Sequence, residues 1–145
     1  MRFLRLSLIL GGLFNVSMGA IFLSRPLILR FFEWAEQMEW VLSGAVVHLN
    51  APAEPLHLML IHGFGAAAVI LGATLLYAAK NPAQMVPFIL IDGVGRLLYA
   101  FMMGYYVLAF SLIRTILLFA IVEFALAVIY ICFSWNRKWN VQSAM

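Results

Sequence analysis

The sequence contains few charged residues and a single cysteine. Lys, Arg, Asp and Glu make up 10% of the 145 residues, whereas 66% are hydrophobic. So few charges cannot cover the surface of a water-soluble domain, and the composition predicts an integral membrane protein. The nine basic residues are scattered along the chain, which argues against nucleic acid as a partner. Because Cys132 has no second cysteine to pair with, an intramolecular disulfide is excluded.

Complete catalytic and cofactor motifs are also missing. The three histidines, His48, His57 and His62, lie close together in the sequence, so bis-histidine haem would lack an axial ligand at a second depth. His57 and His62 are five residues apart, a poor spacing for joint metal ligation from one helix face. We therefore predict no metal and no cofactor, and the sequence favours a protein that is not an enzyme.

Four apolar stretches are long enough to cross a bilayer, which takes about 20 mostly apolar residues per helix. They cover residues 3–23, 56–79, 86–110 and 112–133. Little sequence remains outside them, so we predict one transmembrane domain over residues 1–145, an all-α four-helix bundle. The short connections after the second and third stretches predict antiparallel neighbours.

Positive charge predicts the orientation, because the cytoplasmic flanks of membrane proteins carry an excess of Lys and Arg. One side would hold five basic residues: Arg2, Arg5, Lys80, Arg137 and Lys138. The other would hold three, diluted by four glutamates: Arg25, Arg30 and Arg114. We therefore expect both termini in the cytoplasm.

The first connection, residues 24–55, is too long for a turn and too apolar for a solvated loop. Within residues 27–48, polar side chains such as Arg30, Glu33 and Gln37 recur every three or four positions, and most apolar side chains fall on the other face. This pattern predicts an amphipathic interfacial helix over residues 27–48. It would act either as an anchor or as a lid over an opening between the spans.

Three ionisable residues lie inside the last two predicted spans, where unpaired charge is costly. Asp92 and Arg96 are one helical turn apart on the same face, and Glu123 lies at nearly the same distance from the turn near Phe110. We predict that the Arg96 guanidinium is shared by both carboxylates, which leaves one negative charge for a bound proton or cation to neutralise. A structural ion network and a ligand or proton site both remain open as interpretations.

Asn15, Tyr99 and His62 are the further candidate ligand-binding residues. Asn15 lies near the middle of the first span and can donate a hydrogen bond to the cluster from a third helix. Tyr99 is three residues from Arg96 and lies on much the same face. His62 lies nearer the amphipathic helix, where it serves either packing or proton transfer.

Glycines recur in the first three predicted spans, and small residues let membrane helices approach closely. We expect close helix contacts at nine of them: Gly11, Gly12, Gly19, Gly63, Gly65, Gly72, Gly93, Gly95 and Gly104.

Short motifs follow one another along the chain at residues 12–15 (GLFN), 25–26 (RP), 62–63 (HG), 76–82 (LYAAKNP) and 92–99 (DGVGRLLY). Together they resemble the DoxX-like superfamily of small bacterial four-span membrane proteins. The resemblance implies a bacterial inner-membrane location. Some members are described as subunits of quinone-linked oxidoreductases, which implies a supporting role here. The chain lacks the paired histidine and acid of better-described four-span enzymes, so no catalytic residue is carried over.

Three functions follow from these observations. The leading hypothesis is a bundle that binds a lipid-like or quinone-like ligand, or a partner subunit, with Arg96 as anchor and Asp92 and Glu123 tuning it. The second is a proton-coupled small-molecule carrier in which one carboxylate alternates between charged and neutral forms. The third is a lipid-modifying enzyme with His62 as base. The expected partners are membrane lipids, and a homo-oligomer and a larger membrane complex are the assemblies left open.

Overall fold

The computed structural model describes residues 2–50 and 52–142, and the side chains of the last helix as far as Trp135. Within these residues it contains five α-helices and no strand. The helices are α1 (Arg2–Phe22), α2 (Arg25–Ser43), α3 (Pro55–Ala78), α4 (Val86–Phe110) and α5 (Thr115–Gln142). Four segments are long and apolar enough to cross a membrane: α1, α3, α4 and the part of α5 from Thr115 to Trp135. The predicted all-α class and the four candidate spans are confirmed. The side chains of Arg137 and Lys138, on which the predicted orientation partly depends, lie outside the described residues.

The boundaries predicted for α2 are wrong at both ends. The helix begins at Arg25, because Pro26 fits the first turn, where its missing N–H costs no hydrogen bond. It ends at Ser43 rather than at residue 48. There Gly44 takes the left-handed conformation, with φ of 70°, and its N–H donates to the Trp40 carbonyl. A glycine in this conformation is a common helix stop.

The last helix also begins later than predicted, at Thr115 instead of residue 112. Ser111 ends α4 in the left-handed region, with φ of 53°, and residues 112–114 form the connection. Beyond residue 133, α5 continues to Gln142.

The helices associate as two close antiparallel pairs, α1 with α3 and α4 with α5. In the first pair, a Cβ added at Gly72 would lie 2.6 Å from the carbonyl oxygen of Gly12, and one at Gly19 would lie 2.6 Å from that of Gly65. The two backbones therefore touch at two points seven residues apart, which only glycine permits.

Three of the nine predicted glycine contacts are wrong. Within the described part of the chain, an added Cβ would meet nothing within 4 Å at Gly63, Gly95 or Gly104. At these positions the helix surface faces open space instead of a neighbouring backbone.

The two helix pairs join at the end of the bundle where α1 begins and α3 ends, which we call the core end. Its core consists of Leu4, Leu8, Leu75, Ala78, Ala79, Ile89 and Tyr130. The Tyr130 hydroxyl donates a hydrogen bond to the Ser7 carbonyl at 3.0 Å and so connects α5 to α1. Towards the opposite end, the α2 end, the described residues of α3 and α4 do not pack against each other to a comparable extent. Space therefore remains between the two pairs.

Large apolar side chains cover the outer surface of the bundle. Leu108 is 84% exposed, and Ile91, Leu98 and Ile121 are also largely exposed. Soluble monomers rarely expose a large contiguous apolar surface, whereas lipid chains would cover one. The arrangement supports a multi-pass membrane protein.

Candidate ligand-binding site

Asp92, Arg96 and Glu123 converge where α4 packs against α5. The Arg96 Nε donates a hydrogen bond to Asp92 Oδ2 at 2.7 Å, and Nη1 donates one to Glu123 Oε2. The side chains of Arg96 and Asp92 are 5% exposed and that of Glu123 is 10% exposed. A hydrogen bond from a guanidinium to a carboxylate is stronger than one between neutral groups. The predicted sharing of one guanidinium by two carboxylates is confirmed.

A close approach of α4 to α5 positions this cluster. A Cβ added at Gly93 would lie 3.0 Å from the Cβ of Tyr130, so the two helices are nearly in backbone contact one turn below Arg96. The Arg96 Cζ lies 5.7 Å from the centroid of the Tyr130 ring, within the range of a cation–π interaction. Arg96 is thus held by two carboxylates and a ring.

Unused hydrogen-bonding capacity remains on both the guanidinium and the carboxylates of the cluster. The third guanidinium nitrogen, Nη2 of Arg96, is buried and has no partner among the described residues. Glu123 Oε1 and Asp92 Oδ1 accept no hydrogen bond from the part of the chain that the structure describes, since Arg96 takes only Oε2 and Oδ2. With both acids ionised, the cluster carries one net negative charge and two free acceptor oxygens.

Two cavities adjoin the cluster. The first, the aromatic cavity, has a volume of about 310 Å³ and lies among α1, α2, α4 and α5, with α3 at one side. The second, the charged cavity, has a volume of about 380 Å³ and has Asp92, Arg96 and Glu123 on its wall. The two share five lining residues and therefore meet there: Asn15, Phe64, Ala68, Tyr99 and Glu123.

Aromatic rings form much of the wall of the first cavity. Beside Tyr99 they are Phe14, Phe22, Phe31, Phe64, Tyr106 and Phe119. Several of the rings pack on one another: the Phe31 centroid lies 5.4 Å from that of Phe22 and 5.9 Å from that of Phe119. Such contacts between rings favour one arrangement of the wall. Phe31 comes from α2, so this helix closes the cavity at the α2 end.

Glu39 holds α2 against the first turn of α5. Its side chain is 4% exposed, and its Oε2 accepts hydrogen bonds from the Thr115 N–H at 2.9 Å and the Thr115 hydroxyl at 3.2 Å. A carboxylate at this place satisfies a helix N–H that has no partner within its own helix. Burial alone would raise the pKa of Glu39, but hydrogen bonds from Thr115, with smaller contributions from Ser43 and the Arg114 backbone, together lower the pKa below the ordinary value of 4.5.

Glu39 was not among the predicted site residues, although the sequence carries a signal for it. The residue lies four positions after Ala35 and eleven after Ile28, and all three are buried on one face of α2. A glutamate in register with an apolar stripe predicts a buried, paired carboxylate.

Asn15 and Tyr99 lie where they were predicted, beside the cluster. Both line the two cavities, and their side-chain polar atoms make no hydrogen bond to the residues described here. His62 is different. It is half-buried on α3, its Nε2 has no partner within the described residues, and it is not on the wall of either cavity. The structure does not bring His62 to the cluster.

The identity of a ligand has to come from this geometry. In the described part of the chain, no three His, Cys, Asp or Glu side chains come together as a metal site would require. No protein-family model, curated protein or solved structure matches the chain.

Proposed function

We propose that this chain is a non-enzymatic membrane protein that binds a small lipid-like or quinone-like molecule in the two adjoining cavities. The single observation that carries the proposal is an aromatic cavity of about 310 Å³ that ends on a few convergent polar groups. Apolar cavities of this size with a small number of polar side chains are typical of small-molecule sites. The apolar part of the ligand lies among the rings, and its polar end lies at Glu123, Asn15 and Tyr99.

Arg96 has an indirect role in this proposal. Its guanidinium holds Asp92 and Glu123, which both line the charged cavity, through one oxygen of each carboxylate. A partner subunit that inserts a side chain between α3 and α4 is the other occupant that the charged cavity suits.

We further propose a bacterial inner membrane as the location, with both termini in the cytoplasm, and membership of the DoxX-like superfamily. The four candidate spans support a multi-pass membrane protein. The excess of positive charge on one side of the sequence supports the orientation. Membrane lipids are the surrounding partners, and a homo-oligomer or a larger membrane complex is the proposed assembly.

A pair of matched variants tests ligand binding. Ala68 lines both cavities, whereas Ala66, two residues earlier on α3, is exposed and lines neither. Ala68→Leu fills the space where the cavities meet, and Ala66→Leu adds the same atoms outside. We expect organic extracts of the purified wild type and of Ala66→Leu to contain the same bound small molecules in mass spectrometry. Extracts of Ala68→Leu should contain several-fold less.

Arg96→Ala provides a second test, because it leaves Asp92 and Glu123 without their shared counter-charge. The variant should still reach the membrane fraction, and its organic extract should differ from that of the wild type in the bound small molecules. Identical extracts from the wild type, Ala68→Leu and Arg96→Ala would contradict the proposal.

A proton-coupled carrier is the second candidate function, and the surplus carboxylate favours it. Two acids share one guanidinium at the wall of the charged cavity, so one of them can exchange its charge for a proton when a ligand enters or leaves. Proteoliposomes with a pH-sensitive dye inside test this. Wild type should move protons when a transported molecule is added, and Glu123→Gln should not. Identical traces for the two proteins would remove this candidate.

A further inference from the structure

We infer that the molecule bound in the two cavities is a lipophilic organic cation, such as an amphipathic quaternary ammonium. This inference rests on the proposed function and narrows it, because it selects a positively charged polar end over an anionic or neutral one.

The first argument is the charge of the cavity walls. Arg96 is the only Lys, Arg or His among the described residues that line the two cavities, and both Asp92 and Glu123 face it. With both acids ionised, the surplus of one negative charge has no counter-ion among the described lining residues. Charges interact more strongly in a partly desolvated cavity than in water, so the surplus negative charge favours binding of a cation and disfavours binding of an anion.

The second argument concerns the atoms that a ligand can reach. An anion would need the guanidinium, but Nε and Nη1 of Arg96 already donate to carboxylates and Nη2 is buried. The carboxylate oxygens without a hydrogen bond, Oε1 of Glu123 and Oδ1 of Asp92, belong to residues on the cavity walls and are acceptors. Apart from the buried Nη2 of Arg96, the uncommitted donors are the Asn15 amide and the Tyr99 hydroxyl, which suffice for a neutral group but cannot balance an anionic one.

The third argument is the aromatic wall. Ring faces attract cations, and quaternary ammonium groups are commonly recognised by several rings together. Phe64 and Tyr99 have their centroids 6.2 Å apart, and both rings line the two cavities beside Glu123. A cationic head group at this point would contact ring faces and a carboxylate together, while its apolar body fits the remaining rings.

Three probes that share a phenylbutyl body and end in trimethylammonium, hydroxyl or carboxylate test the inference. Binding to the purified full-length protein is measured by equilibrium dialysis in an uncharged detergent at neutral pH, with protein-free micelles as the blank. We expect the ammonium probe to bind about tenfold or more tightly than the alcohol, because it adds the attraction to one uncompensated charge. The carboxylate probe should not exceed the blank.

Glu123→Gln keeps an acceptor for Arg96 and removes the surplus charge, so the ammonium probe should lose its advantage over the alcohol. Glu33→Gln removes the same charge from an exposed position on α2 and should leave the advantage unchanged. If Glu123→Gln fails to fold, Asp92→Asn removes the surplus charge instead. The comparison of the three probes on the wild type tests the cationic ligand independently of either variant.

The outcomes separate the two proposals. If the alcohol or the carboxylate binds as tightly as the ammonium probe, the cationic ligand is rejected and the cavity remains a binding site. An ammonium preference that persists in both Glu123→Gln and Asp92→Asn rejects the cluster as its cause. If none of the three probes exceeds the micelle blank with the wild type, the proposed function is rejected as well.

Discussion

Replacing Gly65 by alanine should separate α1 from α3, whereas the same change at Gly63 should not. Both residues lie on α3, two positions apart. A Cβ at Gly65 would lie 2.9 Å from the carbonyl oxygen of Gly19 and 3.1 Å from the Cβ of Phe22. A Cβ at Gly63 would meet no described atom within 4 Å. One helix therefore provides the test position and its matched control.

The size of the effect follows from this geometry. Ordinary van der Waals contact begins near about 3.4 Å, so the backbone of α1 has to move away by about 0.5 Å. Overpacking of this kind costs about 1–3 kcal/mol. Alanine is also the better helix former, by up to about 1 kcal/mol, but both variants gain this equally. The free energy of unfolding of Gly65→Ala should therefore be about 1–3 kcal/mol below that of Gly63→Ala.

Reversible unfolding in mixed detergent and SDS micelles, followed by circular dichroism, measures this difference. The wild type provides the reference, and Gly63→Ala should equal it or exceed it slightly. Equal stability of Gly65→Ala and Gly63→Ala would refute the backbone contact between α1 and α3.

The remaining predictions concern the buried polar groups. Glu39→Gln should lower the unfolding free energy by about 1–2 kcal/mol at neutral pH, since neutral hydrogen bonds are weaker than charged ones. The pKa of Glu39 in the folded protein lies below 4.5, so the greater thermal stability of the wild type over Glu39→Gln should be fully present above pH 4.5. It should vanish as the pH falls through the lowered pKa, and a pH-independent difference would contradict this. Arg96→Met should lower the unfolding free energy by about 3–5 kcal/mol in the same SDS titration. Adding Asp92→Asn and Glu123→Gln to this variant should restore most of the loss; no recovery would show that the carboxylates do not depend on the guanidinium. Tyr130→Phe should cost about 0.5–1.5 kcal/mol, because the ring stays beside Arg96 while the hydrogen bond to α1 is lost; an unchanged midpoint would show that the bond adds no stability.

The charge cluster could be predicted because helix geometry alone determines it. Asp92 and Arg96 share a face of α4 through their spacing of four residues, and the short connection after Phe110 brings Glu123 to a similar depth. No tertiary information was needed beyond the antiparallel order of two consecutive helices. The same reasoning could not predict the cavities, because their existence depends on the distance between the two helix pairs.

The glycine contacts show what a finer reading of spacing would have added. Only four of the nine glycines form pairs seven residues apart, Gly12 with Gly19 and Gly65 with Gly72, and these four make the backbone contacts between α1 and α3. A seven-residue spacing keeps small residues on one side of a helix over two turns. Gly63 lies two positions from Gly65, about 200° around the helix, and therefore faces away.

The position of α2 could not be predicted, because it depends on contacts between residues far apart in the sequence. Glu39 and Thr115 are 76 positions apart, and the hydrogen bonds between them form only after the bundle has brought α5 beside α2. The amphipathic pattern predicted a helix but left its partner open. Ala35 and Phe31, on the same face, therefore could not be assigned to the wall of the aromatic cavity.

Asp92 separates the two interpretations of the charge cluster that the sequence left open. An ion pair fixes the register of two helices only when its members lie on different helices, as Arg96 and Glu123 do. Asp92 and Arg96 both lie on α4, so their bond does not itself connect the two helices. Without Asp92 the pair between α4 and α5 would be electrically neutral, and with it the wall of the charged cavity gains a negative charge. Packing does not require that charge, because a buried carboxylate costs desolvation energy. The proposed cationic ligand, or the proton of the second candidate function, would give that charge a role.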